Sequence, residues 1–441
     1  MPEYESIEQY LKTVEEQIRW KRARPAISLE LRQHLEDQRD AFSQAGHPRK
    51  EAEALAVKEM GDPAAVGAGL DRIHRPKPQW GLIGLTIALA LAGGFLRVLL
   101  TSGSEYARSP ASAVFALLLG TACLLGGYFL DASFLFCHAK TVYTAALLAG
   151  ILSLHFSPLL HGIHYYTRYV ALLYPTVYAV WVFSCRKRGW RGFFAAIAGG
   201  IPLAFICLLA PALSALLTLL VCGFILLLCA IWEDWFRLSR KKAAAAVFAA
   251  ALLPAAGLLL WLFSRYSHVY LLQRMMRFLR PEQDPLGSGY QTLSIRKALA
   301  ASRWLGEGNA QLLPDIYERF VPDWSSGSLL TTAIYRLGWL PFLALMLAAA
   351  GLALWLLRKC LQQGRQAGGL LALSVVLSLS MQASASLCMN LGFPLFAAEF
   401  PLLTGNLHTI IDMGLIGLAL STFRGAAIPF SAKGETRQSD A

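Results

Sequence analysis

Residues 212–231 read ALSALLTLLVCGFILLLCAI, a run of twenty residues without a charged side chain. A helix needs about 20 apolar residues to cross the hydrocarbon core of a bilayer. The run therefore predicts a transmembrane helix. It decides the fold because runs of similar length and character recur on both sides of it along the chain.

Nine further apolar runs accompany this one. They lie at about 81–100, 111–130, 141–157, 168–185, 192–210, 245–264, 333–357, 369–391 and 407–423. Pro211 separates 192–210 from 212–231 and favours a hairpin of two helices over one long helix. The 441-residue chain is 56% hydrophobic and 15% charged, whereas soluble domains carry about 25% charged residues. We predict an all-α, polytopic membrane protein with about ten transmembrane helices.

Basic residues indicate the orientation of these helices. They concentrate in three short loops, which hold Arg186, Lys187, Arg188 and Arg191, then Arg237, Arg240, Lys241 and Lys242, and then Arg358, Lys359 and Arg365. With ten spans, all three loops share one face with both termini, and an excess of Lys and Arg marks the cytoplasmic face. We therefore expect a multi-pass protein of the plasma membrane with cytoplasmic termini and an extracellular loop at 265–332.

The net charge of +12 is explained by this topology, so it does not indicate nucleic-acid binding. The lipid bilayer is the expected environment, and the basic loops can also contact anionic lipid. Eight cysteines are present, but their spacing predicts neither disulfides nor a zinc site.

The first 76 residues are strongly polar and predict a small cytoplasmic domain of three or four helices. Ile7, Tyr10, Leu11, Val14 and Ile18 have the spacing of one helix face. We expect Ser28 to cap a second helix, Gly46 to end it, Pro48 to open a third and Gly61-Asp62-Pro63 to close that one. His34, with Glu30 and Asp37 on the same face, is interpreted as part of a solvated acidic surface. The predicted boundaries are 1–76 for this domain, 77–425 for the membrane domain and 426–441 for a cytoplasmic tail.

Two segments of the polar domain carry a family resemblance. ELRQHLED (Glu30–Asp37) and EMGDPAAVG (Glu59–Gly67) resemble the helical prefix domain that precedes several Firmicute permeases and RodA-like proteins. The resemblance implies a docking or sensing role.

The outer loop contains PEQDPLGSGYQ, from Pro281 to Gln291, whose prolines and glycines favour tight turns. This run, the span count and the large loop before the eighth span resemble the RodA/FtsW/SpoVE (SEDS) family. These membrane glycosyltransferases polymerise lipid II into peptidoglycan. The resemblance covers about 80–423. It implies a substrate groove lined by Arg168, Asp284, Pro285, Gly287, Gly289, Tyr290 and Gln291.

The residues expected to carry the family's chemistry are missing. Alignment of the outer loop on Pro322 and Leu337-Gly338 places the catalytic aspartate of the family at Gly327. The lysine expected to pair with that aspartate aligns with Val180. Glycine cannot act as a general base, so no catalytic residue is expected in the family's register. Asp323 is a nearby loop acid that could replace the lost base.

Three functional hypotheses follow from the resemblance. The leading one is a non-catalytic scaffold or regulator of cell-wall assembly, cell shape or division. It would bind a class B penicillin-binding protein or another membrane protein of the divisome or elongasome, and its groove could still hold lipid II. The first alternative is an active lipid II glycosyltransferase with a relocated acid, which would need a divalent metal; otherwise no cofactor is expected. The second alternative is a flippase of lipid-linked sugars, although the chain shows no inverted-repeat pattern.

Few polar residues occur within the predicted spans. Asp412, in the tenth span, is the strongest candidate among them, because an ionisable group inside a membrane faces a cavity or a partner rather than lipid. Arg97, near the end of the first span, is expected to extend its guanidinium to the membrane surface.

Overall fold

The structure is a computed structural model that describes residues 6–21, 23–75, 78–101, 109–160, 163–265, 281–283, 285, 289–309, 311, 328–363, 367–393 and 398–424. Within these ranges the only strands are an antiparallel pair of two residues each, β1 (Leu159–Leu160) and β2 (Ile163–His164). The predicted all-α class is confirmed. The chain forms two compact units, and the second consists of Gln79–Thr422.

The first unit contains four helices: α1 (Ile7–Gln17), α2 (Arg24–Gln44), α3 (Arg49–Met60) and α4 (Pro63–His74). Tyr10, Val14 and Leu35 are fully buried in its core. The Asp62 carboxylate accepts the N–H groups of Ala64 and Ala65 and so caps α4. Apolar residues from all four helices meet in this core, as helical spacing predicts.

One boundary in this unit differs from the prediction. Ser28 lies inside α2, which begins at Arg24, so the expectation that Ser28 caps the helix is wrong. Pro25 occupies the first turn, where its missing N–H leaves no intrahelical bond unmade. The proline therefore opens the helix one turn earlier than the serine would.

The second unit contains fourteen helices among the described residues. They are α5 (Trp80–Thr101), α6 (Pro110–Phe129), α7 (Ala132–Cys137), α8 (Ala139–Phe156), α9 (Tyr165–Val170), α10 (Tyr174–Ser184), α11 (Gly189–Leu209), α12 (Leu213–Trp232), α13 (Arg240–Arg265), α14 (Tyr290–Ala301), α15 (Leu329–Leu337), α16 (Trp339–Gln362), α17 (Ala367–Asn390) and α18 (Asn406–Arg424). Eight of them are long and apolar enough to cross a membrane: α5, α6, α8, α11, α12, α16, α17 and α18. The protein is a multi-pass membrane protein.

Two predicted spans are interrupted. The run 168–185 consists of α9, a 3₁₀ turn at Ala171–Leu173 and α10. The run 333–357 is divided at Gly338, which ends α15 with φ +99°. Only glycine adopts this conformation without strain, and a Cβ at Gly338 would lie 2.7 Å from the Trp304 carbonyl oxygen. The eighth span therefore begins at Trp339.

Helix α10 is enclosed by protein. Nine of its eleven residues are buried, and it packs against α8, α12 and α17. The Tyr178 hydroxyl on α10 donates to the Ala196 carbonyl at 3.1 Å, and the Tyr143 hydroxyl of α8 donates to the Gly199 carbonyl at 2.6 Å. These bonds join α10 and its neighbour α8 to α11, so α10 forms the centre of the membrane unit.

Candidate functional site

Polar side chains converge where the segment 398–405 connects α17 to α18. They come from the C-terminal halves of α5 and α17, from α9, from α18 and from the connecting segment itself. We call these residues the polar cluster: Arg97, Arg168, Tyr169, Gln382, Glu399, His408 and Asp412. The predicted topology places this end of the helices outside, on the side of the large loop.

Glu399 contacts three other members of the polar cluster, Arg168, Tyr169 and His408. Arg168 Nη2 donates to Glu399 Oε1 at 3.1 Å and to the Tyr169 hydroxyl at 2.6 Å, and that hydroxyl donates to the same carboxylate oxygen at 3.3 Å. The Arg168 guanidinium carbon also lies 4.8 and 4.6 Å from the ring centroids of Tyr165 and Tyr169. Charge-assisted hydrogen bonds and cation–π contacts together fix the arginine. Arg168 is thus tied to a residue 231 positions away in sequence.

His408 lies between the two acids of the polar cluster. Its Nδ1 is 3.5 Å from Glu399 Oε2, and its Nε2 is 3.6 Å from Asp412 Oδ2. Nε2 is also 2.5 Å from Gln382 Oε1. This contact joins His408 on α18 to Gln382 on α17. His408 is therefore held in place by contacts with α17 and with the segment 398–405.

Three polar side chains hold a strained turn at Leu402 and Leu403. Leu402 has φ +65°, a conformation that is costly for a residue with a side chain. Its N–H donates to Asp412 Oδ2 at 3.2 Å, and its carbonyl accepts from the Thr409 hydroxyl at 3.3 Å. Arg97 Nη1 donates to the Leu403 carbonyl at 2.7 Å. The turn persists because surrounding groups determine its geometry.

This turn explains where two residues singled out from the sequence, Asp412 and Arg97, lie in the structure. Asp412 has 0% exposure and accepts a backbone hydrogen bond there. Arg97, expected at the membrane surface, is only 2% exposed and reaches into the protein, so that expectation is wrong. Gly93, one turn before Arg97 on α5, permits the close approach, since a Cβ there would lie 2.6 Å from the Leu402 carbonyl oxygen.

The charges of the polar cluster offset one another. Two basic side chains, Arg97 and Arg168, lie together with two acidic ones, Glu399 and Asp412. The Glu399 side chain is 10% exposed and that of Asp412 is buried, whereas that of Arg168 is 36% exposed. Arg168 is therefore the most exposed charged side chain of the polar cluster.

The groove residues predicted from the outer loop are only partly described. Gly289 is buried and Pro285 and Gln291 are exposed. Tyr290 begins α14 and packs against the small core that includes Tyr335. The predicted groove residues Asp284 and Gly287, the alternative acid Asp323 and the catalytic position Gly327 lie outside the described residues.

Sequence reasoning missed Glu399, His408 and the cluster role of Gln382. Two signals could have found them. Glu399 is the one acid in the stretch 391–407, and His408 lies four residues before Asp412 on the same helix face.

Comparison with known proteins agrees with this bundle of spanning helices. The chain belongs to the class of polytopic, all-helical membrane proteins. Residues 170–424 match the FtsW/RodA/SpoVE family, described as "Cell cycle protein". The protein therefore belongs to this family.

Its relatives include two proteins called "Probable peptidoglycan glycosyltransferase FtsW". That of Idiomarina loihiensis is 30% identical over 156 residues, which cover 34% of this chain and 38% of the relative. That of Aliivibrio salmonicida is 26% identical over 233 residues, covering 52% and 54%. The matched part thus spans roughly two fifths to about half of these relatives.

Two solved structures share the fold. A chain from a peptidoglycan synthase complex that coordinates polymerization and crosslinking superposes with a TM-score of 0.61 at 20% identity, covering 79% of this chain and 98% of that one. The rod shape determining protein RodA of Thermus thermophilus gives a TM-score of 0.51 at 18% identity, covering 78% and 96%. At these identities the similarity shows the fold alone.

Proposed function

We propose that the protein is a non-catalytic member of the FtsW/RodA/SpoVE family that acts in cell-wall assembly, cell shape or division by binding a membrane partner. The observation that carries this proposal is Val180. The family resemblance calls for a lysine at that position, paired with the catalytic aspartate. Val180 is 1% exposed on α10, the enclosed central helix.

The lysine expected at position 180 and the aspartate expected at position 327 depend on each other. A lysine buried without its acid is costly, and the acid position aligns with Gly327. A chain that has lost the acid gains stability by replacing the lysine with a packed valine. Loss of general acid–base catalysis alone lowers a rate by roughly 10²–10⁴-fold.

The comparisons support a partner of one kind. One structural neighbour comes from a peptidoglycan synthase complex, which favours a class B penicillin-binding protein as the partner of this chain. Another divisome or elongasome membrane protein is the alternative, and lipid II is the ligand that the groove would hold. The four-helix unit α1–α4 would then serve as the cytoplasmic docking or sensing domain.

A second candidate is an active lipid II glycosyltransferase with a relocated acid, and Glu399 favours it. This acid lies at the predicted outer end of the bundle, beside Arg168, whose guanidinium could meet a phosphate. Asp323 is the other acid proposed for this role. Either acid would need a bound divalent metal to offset the charge of the pyrophosphate.

A lipid II polymerisation assay on the purified protein separates the two candidates. It is run with and without a class B penicillin-binding protein, with the FtsW of Idiomarina loihiensis as the positive control. We expect glycan formation at background. The double variant Gly327→Asp, Val180→Lys should gain activity, and the uncharged double variant Gly327→Asn, Val180→Met should not.

The contrary result is equally specific. Metal-dependent polymerisation by the unmodified protein would overturn the non-catalytic proposal. Its loss in Glu399→Gln or in Asp323→Ala would then identify the relocated acid.

A further inference from the structure

Two short loops at the end of the bundle opposite the polar cluster form one basic surface. The first connects α10 to α11, and the second connects α12 to α13. We call this surface the basic patch, and its members are Arg186, Lys187, Arg188, Arg191, Arg237, Arg240, Lys241 and Lys242. All of them except Arg186 are exposed. Glu233 and Asp234 are the acids in the same two loops.

The two loops are joined to each other. The Lys187 N–H donates to the Trp235 carbonyl at 2.8 Å. The Phe183 ring lies 5.3 Å from that of Trp235, centroid to centroid, and the Arg186 guanidinium carbon is 3.8 Å from the Phe183 centroid. Phe236 is 1% exposed and packs against Phe193 at 5.7 Å. The basic patch is therefore a fixed surface rather than two independent loops.

Its backbone is held in costly conformations. Lys187, Asp234 and Arg237 have φ of +63°, +55° and +52°. These are three of the five residues other than glycine that have positive φ in the described chain. Such residues cost about 1–3 kcal/mol each and persist where the surrounding structure over-determines them, often at functional sites. Two of these three strained residues, Lys187 and Arg237, are members of the basic patch.

Six cations of the basic patch are not neutralised by a salt bridge within the part of the protein that the structure describes. Salt bridges found across the described residues include none for Arg188, Arg191, Arg237, Arg240, Lys241 or Lys242. Several of these cations also occupy the first turns of α11 and α13, which contain no acidic residue. Cations at a helix N-terminus oppose the helix dipole, whereas an anion there is stabilised. An external anion would pair with these cations and would also interact favourably with the N-termini of α11 and α13.

The surroundings of the basic patch indicate where that anion comes from. The patch lies at the ends of α10, α11, α12 and α13, where membrane-spanning segments leave the bilayer. Trp190 and Trp232 flank it and are 41% and 72% exposed. Exposed tryptophans at helix ends are typical of the level of the lipid headgroups. Lipid phosphates lie at that level.

We propose that the basic patch binds the phosphate groups of anionic phospholipids in the adjacent leaflet. The predicted topology makes this the cytoplasmic leaflet. Tethering by several cations would hold the α10–α13 end of the bundle against the membrane surface. The proposal does not depend on whether the protein polymerises lipid II.

Native mass spectrometry of the full-length protein tests this. The purified protein is equilibrated with equal amounts of phosphatidylglycerol and phosphatidylcholine, and the retained lipids are counted. We expect phosphatidylglycerol to be preferred. Removing four cations should lower that preference by at least about tenfold, because each basic residue near a membrane surface contributes about fivefold in affinity. The variant carries Arg191→Gln, Arg237→Gln, Arg240→Gln and Lys241→Gln.

A matched control removes the same charge elsewhere. It carries four substitutions at exposed positions of the first unit: Lys12→Gln, Arg49→Gln, Lys50→Gln and Lys58→Gln. This variant should keep the full preference for phosphatidylglycerol. Equal loss in both variants would show that net charge alone attracts the lipid, and would overturn the proposal.

Two further arms use the unmodified protein, so the test stands even if the fourfold variant does not fold. Raising the salt concentration from about 0.1 M to about 1 M shortens the screening length from about 10 Å to about 3 Å and should weaken the preference. Millimolar inorganic phosphate should leave the lipid in place. Retention of both lipids in equal amounts, or displacement by free phosphate, would contradict a lipid site.

Discussion

Replacement of Asp412 tests what the polar cluster does for stability. Its Oδ2 accepts the N–H of Leu402 at 3.2 Å in a fully buried setting. Asp412→Leu removes the acceptor, and an unsatisfied buried N–H costs about 1–3 kcal/mol. The strained backbone of Leu402, worth about 1–2 kcal/mol, then loses one of its restraints. Loss of a buried carboxylate, whose Oδ1 has no hydrogen-bond partner, offsets part of this cost. We expect a net loss of roughly 1–3 kcal/mol.

Asp412→Asn is the matched control, because it keeps an oxygen at the same place and removes only the charge. It should cost less than about 1 kcal/mol. A thiol-reactive dye can follow thermal unfolding in detergent, since Cys185, Cys207, Cys222 and Cys360 are buried. The leucine variant should melt at least about 2 °C below the asparagine variant. Equal melting of the two variants would refute the reasoning, because it would show that the acceptor oxygen for the Leu402 N–H contributes nothing to stability.

Two further predictions concern topology and the first unit. A cysteine at Ser326, in a background without the exposed Cys137 and Cys388, should react with an impermeant reagent on intact cells; protection of a well-expressed variant would contradict an outer loop at 265–332. The isolated fragment 1–76 should give a strongly helical circular dichroism spectrum, because its four helices share a buried core, and a random-coil spectrum would show that it folds only with a partner.

The spans were predictable because the hydrophobic signal is local. A bilayer-length apolar run requires no knowledge of its neighbours, so α5, α11, α12 and α18 agree with the prediction to within a few residues. The break at Gly338 was not predicted, although Gly338 precedes Pro341 and both residue types signal a helix boundary. Because 333–357 is predominantly hydrophobic, we predicted one continuous helix there and missed the boundary at Gly338.

The polar cluster was largely unpredictable because its contacts are long-range. Asp412 and Arg168 were identified as polar residues of interest, but Glu399 lies in a connecting segment, where an acid is ordinarily solvated. Only the folded chain places it against Arg168 and His408. Arg97 was misjudged for the same reason, since its partner carbonyl lies 306 residues away.

The ion pair of Arg168 and Glu399 is consistent with the non-catalytic proposal, because it can stabilise the outer end of the helix bundle. The family resemblance calls for a lysine on the fourth span that pairs with an acid of the outer loop. This chain has Val180 at the lysine position, yet a cation at the start of the same span, Arg168, pairs with an acid in a different outer segment. This ion pair connects the start of that span to the segment between α17 and α18. Under the non-catalytic proposal, a stable partner-binding surface would keep this ion pair, because loss of Arg168 would leave the nearly buried Glu399 carboxylate without its partner.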